Sequence, residues 1–243
     1  MDMKLSQDNQ NLVAFWDQAF SLSEEDRKEL LQSDPESWKE MAPSEKLSRA
    51  AASLANRKKV LDYGCGNAWA GIIAAKNGCT DVTAVDLAPG AVDAAKAYAA
   101  LYGAEKQMNI SLVGPEWLKT VPADSYDGII CSNVLDVVPP ETAAEILREL
   151  ARISTDDASV IIGLNFYLSP EAAAQRNMNL ADGNRLYVDG VLRLVSRSDD
   201  EWKKEFKSFF SVERLEHFAW PGEEKETRRL FYLKKRCARI ERK

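Results

Sequence analysis

The sequence predicts an α/β protein built on a doubly wound sheet of seven strands. Short apolar runs alternate with helical patterns between residues 59 and 164, which is typical of parallel βαβ units. A glycine turn follows the first of these runs and opens a helix. Two more strand patterns, residues 212–218 and 230–233, supply the rest of the sheet. We therefore expect a Rossmann-like sheet that is mostly parallel, with an antiparallel last strand.

The first 55 residues read as a helical N-terminal extension. Ser21 and Glu24 have the spacing of a capping box, and residues 43–45 open a further helix with apolar residues on one face. The aromatic residues of this polar segment are interpreted mainly as packing residues: Phe15, Trp16, Phe20 and Trp38.

The sheet region follows from the change of hydrophobic period after residue 55. The predicted strands are residues 59–63, 82–86, 109–113, 126–131 and 159–164. The predicted helices between them are residues 68–77, 89–102 and 140–153. Asn67 is the expected N-cap of the first of these helices.

The regular rhythm ends after the fifth strand. Residues 166–197 form an insertion that contains a hairpin pattern with Asp189 and Gly190 as its two-residue turn. Ser198 and Glu201 then have capping-box spacing before another helix. No long linker or repeat divides the chain, so we predict one domain over residues 1–243.

The composition excludes several classes of protein. The chain has 243 residues, 45% hydrophobic and 29% charged, which argues against disorder and coiled coil. It has one histidine and no paired cysteines at metal-site spacing, so no metal site is predicted. We find no apolar run near the roughly 20 residues of a membrane span and no secretory signal. The expectation is a cytosolic protein without membrane contact.

The charge is unevenly spread. The net charge is −6, yet residues 225–243 hold nine Lys and Arg residues against two Glu. Such a tail can bind nucleic acid, but the acidic body would repel phosphates. We favour a last strand, residues 230–233, whose basic flanks protect a sheet edge.

The glycine turn carries the first chemical signal. Gly64 and Gly66 follow a strand, and Asp86 stands twenty residues after Gly66 at the end of the next strand. Glycines there let the backbone approach a ligand, and the carboxylate can accept hydrogen bonds from a ribose diol. A nicotinamide site prefers a third glycine, where this chain has Trp69.

At this point the chain resembles the class I S-adenosylmethionine-dependent methyltransferases of the small-molecule type. The resemblance rests on residues 60–66, on Val85 and Asp86, and on residues 125–135, and it spans roughly residues 54–164. It implies a transferase with S-adenosylmethionine as cofactor and S-adenosylhomocysteine as product.

The resemblance also implies site residues. The methionine part of the cofactor would lie against Gly64, Cys65 and Gly66, with Asp62 near its ammonium group. Asp86 would hold the ribose and Leu87 would pack on the adenine. Pro115 stands where the family commonly has an acid, so Glu116 is the nearest substitute. Trp117 either stacks on the base or fills a gap between helix and sheet.

The end of the fourth strand bears on the reaction. Asn133 should lie beneath the sulfonium, and Asp136 stands where many relatives have a histidine. Asp136 is therefore the candidate for orienting or deprotonating the acceptor, although methyl transfer needs mainly in-line placement. The motif does not resemble nucleic-acid amino methyltransferases, so a small-molecule acceptor is favoured. An RNA or protein methyltransferase and a silent cofactor-binding module remain alternatives.

The insertion is expected to cap the acceptor side. One face of the hairpin must pack on the body, and the other could present Tyr187 and Arg193 to an acceptor. A hairpin that serves dimerisation is the alternative, and the sequence does not predict the oligomeric state.

Overall fold

The computed structural model describes residues 7–236 and contains the expected seven-stranded sheet. Its strands are β1 (Val60–Tyr63), β2 (Val82–Asp86), β3 (Met108–Leu112), β4 (Tyr126–Ser132), β5 (Ser154–Leu164), β9 (Phe210–Phe218) and β10 (Arg228–Lys235). Their order in the sheet is β3-β2-β1-β4-β5-β10-β9. The first five run parallel, and β10 is antiparallel to both of its neighbours. The predicted fold class is confirmed.

Helices cover both faces of this sheet, and a second sheet of three short strands stands beside it. The helices are α1 (Gln7–Phe20), α2 (Glu24–Gln32), α3 (Glu45–Ala52), α4 (Trp69–Lys76), α5 (Pro89–Leu101), α6 (Trp117–Thr120), α7 (Pro140–Ile153), α8 (Pro170–Gln175) and α9 (Asp199–Lys207), with a 3₁₀ turn at Ser37–Glu40. The small sheet consists of β6 (Leu180–Ala181), β7 (Arg185–Val188) and β8 (Val191–Val195).

The core has two layers because successive residues of a strand face opposite sides of the sheet. Val60 packs in the layer that also holds α3, α4 and α5. Its neighbour Leu61 packs in the layer with α7 and α9. Both residues are fully buried, as expected for strands with helices on both faces.

The N-terminal extension is helical, but one predicted cap is wrong. The capping box before α2 is formed by Ser23 and Asp26, while Ser21 bonds back to Asp17 at the end of α1. Both serines precede an acid at the correct spacing, but Ser21 is bonded to the Asp17 carbonyl at the end of α1, so Ser23 is the residue that caps α2. Ser44 caps α3, the helix that residues 43–45 were expected to open.

A second prediction that needs correction concerns the start of α4. Asn67 is not its N-cap; Ala68 precedes the helix in a left-handed conformation, with φ 58°. The glycine turn extends one residue further than expected, so no side chain caps this helix.

The basic last strand is not a sheet edge. β10 pairs with β5 on one side and β9 on the other, so β9 is the edge strand. Arg228 and Arg229 are buried, and Lys235 pairs with Asp124 at 2.6 Å. Part of the tail is thus built into the sheet; residues 237–243 lie outside the described residues.

The hairpin forms as predicted. Asp189 and Gly190 both have positive φ, at 50° and 76°, as the tight turn requires. A bulge between Leu186 and Tyr187 interrupts the alternation of the strand, and Val188 is 44% exposed.

Two features are absent from the residues that the structure describes. None of the helices between residues 7 and 236 has the length and hydrophobicity to cross a membrane. No group of three or more potential metal ligands occurs in the same part of the chain. Cys65, Cys79 and Cys131 are buried free thiols, and Cys237 lies beyond the described part.

Candidate functional site

A cavity of about 910 Å³ opens at the carboxyl ends of the parallel strands. Ligands bind at this edge in doubly wound sheets because the strands end there and loops surround the space. One part, the turn side, is lined by the glycine turn, Asp86, Leu87 and Glu116. The opposite part, the hairpin side, is lined by Phe166, Leu186, Arg193, Leu194, Trp220 and Arg228.

The glycine turn after β1 requires its glycines. Gly64 and Gly66 have φ of 68° and 54°, a region that costs other residues about 1–2 kcal/mol. A Cβ on Gly66 would lie 2.7 Å from the Phe20 ring, and a Cβ on Gly64 would collide with Val134. The turn therefore carries backbone against both α1 and the loop after β4.

Asp86, at the end of β2, binds this turn. Its Oδ2 accepts from the Gly66 N–H at 2.9 Å, and its Oδ1 accepts from the Ala88 N–H at 3.0 Å. Burial raises the pKa of Asp86, and the two N–H groups lower it in part. A carboxylate has about four acceptor positions, so Asp86 keeps capacity for a diol in the cavity.

Asp62 does not line the cavity. Its Oδ2 accepts from the Gly71 N–H at 2.9 Å in the first turn of α4, and it is 4% exposed. Burial raises its pKa to about 7, and this one N–H opposes the shift. Asp62 therefore supports the start of α4, instead of lying open to a ligand's ammonium group.

Glu116 lines the cavity, but Trp117 does not. Glu116 pairs with Lys119 at 2.5 Å, and Lys119 also pairs with Glu145 at 2.6 Å. Trp117 opens α6 and packs against the core layer of α7. Of its two predicted roles, the structure shows the second: the Trp117 ring fills the space between helix and sheet.

The ends of β4 and β5 are joined by an amide pair. Asn133 Nδ2 donates to Asn165 Oδ1 at 2.8 Å, and Arg228 donates to the same oxygen at 2.6 Å. Arg228 also binds Glu223 through two nitrogens, at 2.6–3.0 Å, and lies under Trp220 with 3.4 Å between guanidinium and ring. Asn133 has φ 58°, which asparagine tolerates well.

Asp136 lies behind this amide pair. It is fully buried, and its Oδ2 accepts from the Asn165 backbone N–H at 2.6 Å. Burial raises its pKa to about 6, against the effects of Asn165 and Arg229. A base that deprotonates the acceptor must reach the substrate, and Asp136 does not line the cavity. The predicted catalytic role of Asp136 is therefore corrected: its carboxylate positions Asn165.

α1 forms a roof over the cavity and is tied to the hairpin. Tyr187 Oη donates to Asp8 at 3.0 Å, and Asn11 donates to the Gly190 carbonyl at 3.2 Å. The Arg193 guanidinium lies 4.0 Å from the centre of the Phe15 ring. Tyr187 is thus occupied with α1 and does not line the cavity, whereas Arg193 does.

The same chain segment matches known proteins. Residues 60–157 match the family model described as a methyltransferase domain. The chain carries a class I S-adenosylmethionine-dependent methyltransferase domain. The match includes β1 to β4, α7 and the start of β5, and therefore the turn side of the cavity.

Curated relatives match only part of this chain. A ribosomal protein L11 methyltransferase of Shewanella sediminis is 38% identical over 94 residues, which are 39% of this chain and 28% of the relative. A ubiquinone biosynthesis O-methyltransferase of Neisseria meningitidis is 24% identical over 147 residues, 60% of this chain and 57% of that protein. The chain therefore spans only about a quarter to three fifths of these relatives.

A solved structure matches nearly the whole chain. The 1,6-didemethyltoxoflavin-N1-methyltransferase of Burkholderia thailandensis superposes with a TM-score of 0.64 at 16% identity. The superposition covers 97% of this chain and 93% of that one, and that structure holds 1,6-didemethyltoxoflavin and S-adenosylhomocysteine. At this identity the likeness shows the fold alone.

S-adenosylmethionine is the cofactor of this domain type, and the residues present fit it. Asp86 retains acceptor capacity for a ribose, Leu87 provides apolar surface beside it, and the turn offers close backbone approach. The cavity volume lies near the top of the roughly 300–1,000 Å³ of ligand sites.

Most predicted site residues of the methyltransferase domain share this one cavity. The predicted residues that line it are Gly64, Cys65, Gly66, Asp86, Leu87, Glu116, Asn133 and Arg193. The predicted residues that do not line it are Asp62, Trp117, Asp136 and Tyr187. Sequence reasoning missed Trp16 and Phe20 as lining residues, although aromatic side chains on a polar helix were a signal. It also missed Asn165 and Arg228, which no local motif marks.

Proposed function

We propose that this enzyme transfers a methyl group from S-adenosylmethionine to a small-molecule acceptor, with residues 1–243 acting as a single methyltransferase domain. The observation that supports the proposal most is one continuous cavity that joins Asp86 and the glycine turn to the hairpin side. Its roof, α1, bonds to the hairpin at Tyr187 and Gly190. A roofed cavity favours an acceptor that is small enough to be enclosed.

The chain's own residues would act by placement. When bound, the cofactor supplies an electrophilic methyl group on a sulfonium centre. Asp86 and the glycine turn would fix the cofactor, and Asn133 and Asn165 would hold polar atoms at the end of β4. Placing donor and acceptor in line accounts for much of such a rate enhancement. Among the described residues, no histidine lines the cavity, and His217 pairs with Asp199 elsewhere. We propose that the acceptor releases its proton to water.

We extend the proposal to residues 166–197, which would form the cap over the acceptor. Phe166, Leu186, Arg193 and Leu194 from this insertion line the cavity. The cap is supported by a core of its own, in which Leu168, Ala173 and Leu194 are buried.

A protein acceptor is the second candidate, and the ribosomal protein L11 methyltransferases favour it. Two of these relatives match only 39–40% of this chain. The family-model match ends at residue 157, before the hairpin-side residues, which begin at Phe166. We therefore rank a small molecule first.

Methyl transfer to fractionated acceptors separates the candidates. The enzyme is incubated with methyl-labelled S-adenosylmethionine and three fractions of a cell extract: metabolites, proteins and RNA. We expect label in the metabolite fraction alone. Label in protein or RNA would support the alternative acceptors, and binding of S-adenosylhomocysteine without any labelling would indicate a silent module.

Calorimetry tests the cofactor by itself. S-adenosylhomocysteine should bind, and NAD should bind at least about 100-fold more weakly, because Trp69 occupies the third glycine position of a nicotinamide site. Preferential NAD binding would overturn the proposal. The expected cytosolic location belongs to the same proposal, and cell fractionation checks it.

A further inference from the structure

The cations of the cavity differ in whether a carboxylate neutralises them. Lys119 pairs with Glu116 and Glu145 at 2.5 and 2.6 Å, and Arg228 pairs with Glu223 at 2.6 Å. The third lining cation, Arg193, forms no ion pair with any residue between 7 and 236. Arg193 is therefore the cation whose charge is left for a ligand.

The aromatic surroundings of Arg193 leave its N–H donors available to a ligand. Its guanidinium lies 4.0 Å from the Phe15 ring centre and 5.8 Å from that of Trp16. An aromatic face attracts the positive charge, but it has no lone pair that could accept a hydrogen bond from the five N–H donors. Within the described part of the chain, these donors have no oxygen acceptor. A half-buried guanidinium gains most from an oxyanion that binds it through two parallel hydrogen bonds.

Apart from Arg193 and Arg228, the hairpin side is lined by apolar and aromatic residues, with no free carboxylate among the described residues. The apolar lining from α1 and the insertion includes Leu12, Trp16, Phe166, Leu186 and Leu194. The carboxylates that line the cavity are Asp86, Glu116, Glu145 and Glu149, and all belong to β2, to the loop before α6 or to α7. An ammonium group on the hairpin side would therefore meet no counter-charge, whereas an anion would meet Arg193.

We propose that the methyl acceptor is a small organic acid with an apolar body, and that Arg193 binds its carboxylate. The inference rests on the proposed function and names the substrate class of the same cavity. The acid would lie with its apolar part against Leu186, Leu194 and Phe166. Its nucleophilic atom would then point toward Asn133 and Asn165, at the junction with the turn side.

The test compares acids with amides of the same shape. Binding is measured by calorimetry and ligand-observed NMR on protein saturated with S-adenosylhomocysteine. The probes are the three hydroxybenzoates, the three aminobenzoates and 2-hydroxyisocaproate, each beside its carboxamide, with phenyl phosphate as a separate oxyanion. We expect at least one acid to bind at least tenfold more tightly than its amide, and the same acid to be methylated faster.

Variants then assign the preference to the guanidinium. Arg193→Gln should abolish the difference between acid and amide, and Arg193→Lys should keep part of it. Phe15→Leu is the matched control, since it removes the ring under the guanidinium but keeps the charge. The acid preference should survive in Phe15→Leu, and affinity for S-adenosylhomocysteine should stay within about twofold in all three variants.

Four outcomes would overturn the inference. Amides or amines could bind as tightly as acids, no acid could bind at all, or phenyl phosphate alone could bind. Equal loss of the preference in Arg193→Gln and Phe15→Leu would mean that Arg193 only fastens α1 to the hairpin. If the parent protein fails to bind S-adenosylhomocysteine, the proposed function fails first, so the two failures are distinguishable.

Discussion

The turn side and the hairpin side of the cavity are assembled in different ways. On the turn side, Asp86 binds the Gly66 N–H across 20 residues of sequence, within one βαβ unit. On the hairpin side, Tyr187 binds Asp8 across 179 residues, and Asn11 binds the Gly190 carbonyl across the same distance. The first contact depends on adjacent strands, whereas the others depend on the docking of α1.

The two sides also differ in charge. The lining carboxylates lie on the turn side and α7, while Arg193 and Arg228 lie on the hairpin side. A cofactor with a ribose and a cationic sulfonium suits the first, and an acid suits the second. The comparison teaches that cofactor binding and acceptor binding should respond to different substitutions.

The largest expected effect separates the sides at Asp86. Asp86→Ala should weaken S-adenosylhomocysteine binding by about 1.5–3 kcal/mol, roughly 10- to 150-fold, because charge-assisted hydrogen bonds to the ribose are lost. Calorimetry measures this. Asp93→Ala, an exposed carboxylate on α5, is the control and should bind normally. Unchanged affinity in Asp86→Ala would contradict the assignment of the turn side.

A glycine pair tests the contact between α1 and the turn side. Gly66→Ala should lose about 1–2 kcal/mol of stability from its positive φ, and its Cβ would also displace the Phe20 ring. Gly103→Ala has the same backbone cost, at φ 65°, with no atom within 4 Å of its Cβ.

Thermal unfolding measures the stability of the two variants, and calorimetry measures their affinity for S-adenosylhomocysteine. We expect similar losses of stability from the backbone, but a loss of S-adenosylhomocysteine affinity of about tenfold only in Gly66→Ala. Equal affinity in both variants would show that Phe20 and the turn move independently.

A pH series tests the buried carboxylate behind the hairpin side. The pKa of Asp136 is about 6 in the folded protein against 3.8 for an unperturbed aspartate, so the folded state binds the proton more tightly. Its contribution to stability therefore falls as pH rises from about 4 to 6, by about 1.4 kcal/mol per pH unit, and is level above 6.

Asp136→Asn should remove that part of the slope. Urea unfolding at pH 4.5, 5.5 and 6.5 measures it, with the exposed Asp93→Asn as control. Asp62, whose pKa of about 7 also reflects burial, adds a similar fall that extends to higher pH and persists in the variant. The same slope in parent and Asp136→Asn would mean that this carboxylate is hydrated.

The smallest effect concerns the tie between α1 and the hairpin. Tyr187→Phe removes the hydrogen bond to Asp8 and should cost about 0.5–1.5 kcal/mol, with no change in S-adenosylhomocysteine affinity. Hydrogen exchange of α1 should rise. A double-mutant cycle with Asp8→Asn should show coupling; additive effects would mean that the contact contributes nothing.

The sequence alone determined the features that arise within one supersecondary unit. The period of the apolar residues predicted the parallel strands, and the glycine turn with Asp86 predicted the turn side. Asp189 and Gly190 predicted a two-residue turn, and Ser198 with Glu201 predicted the cap of α9, which forms as expected. These features depend on backbone preferences and on contacts a few residues apart, which a local pattern encodes.

Tertiary structure decided the direction and burial of side chains on the loops. Asp136 is buried and its carboxylate accepts from the Asn165 N–H, 29 residues away, and Trp117 packs against the core that includes α7. The bulge after Leu186 and the docking of α1 turn Tyr187 to Asp8 and leave Arg193 in the cavity. A loop side chain has several directions that the local sequence permits equally, and only packing between distant segments selects one of them.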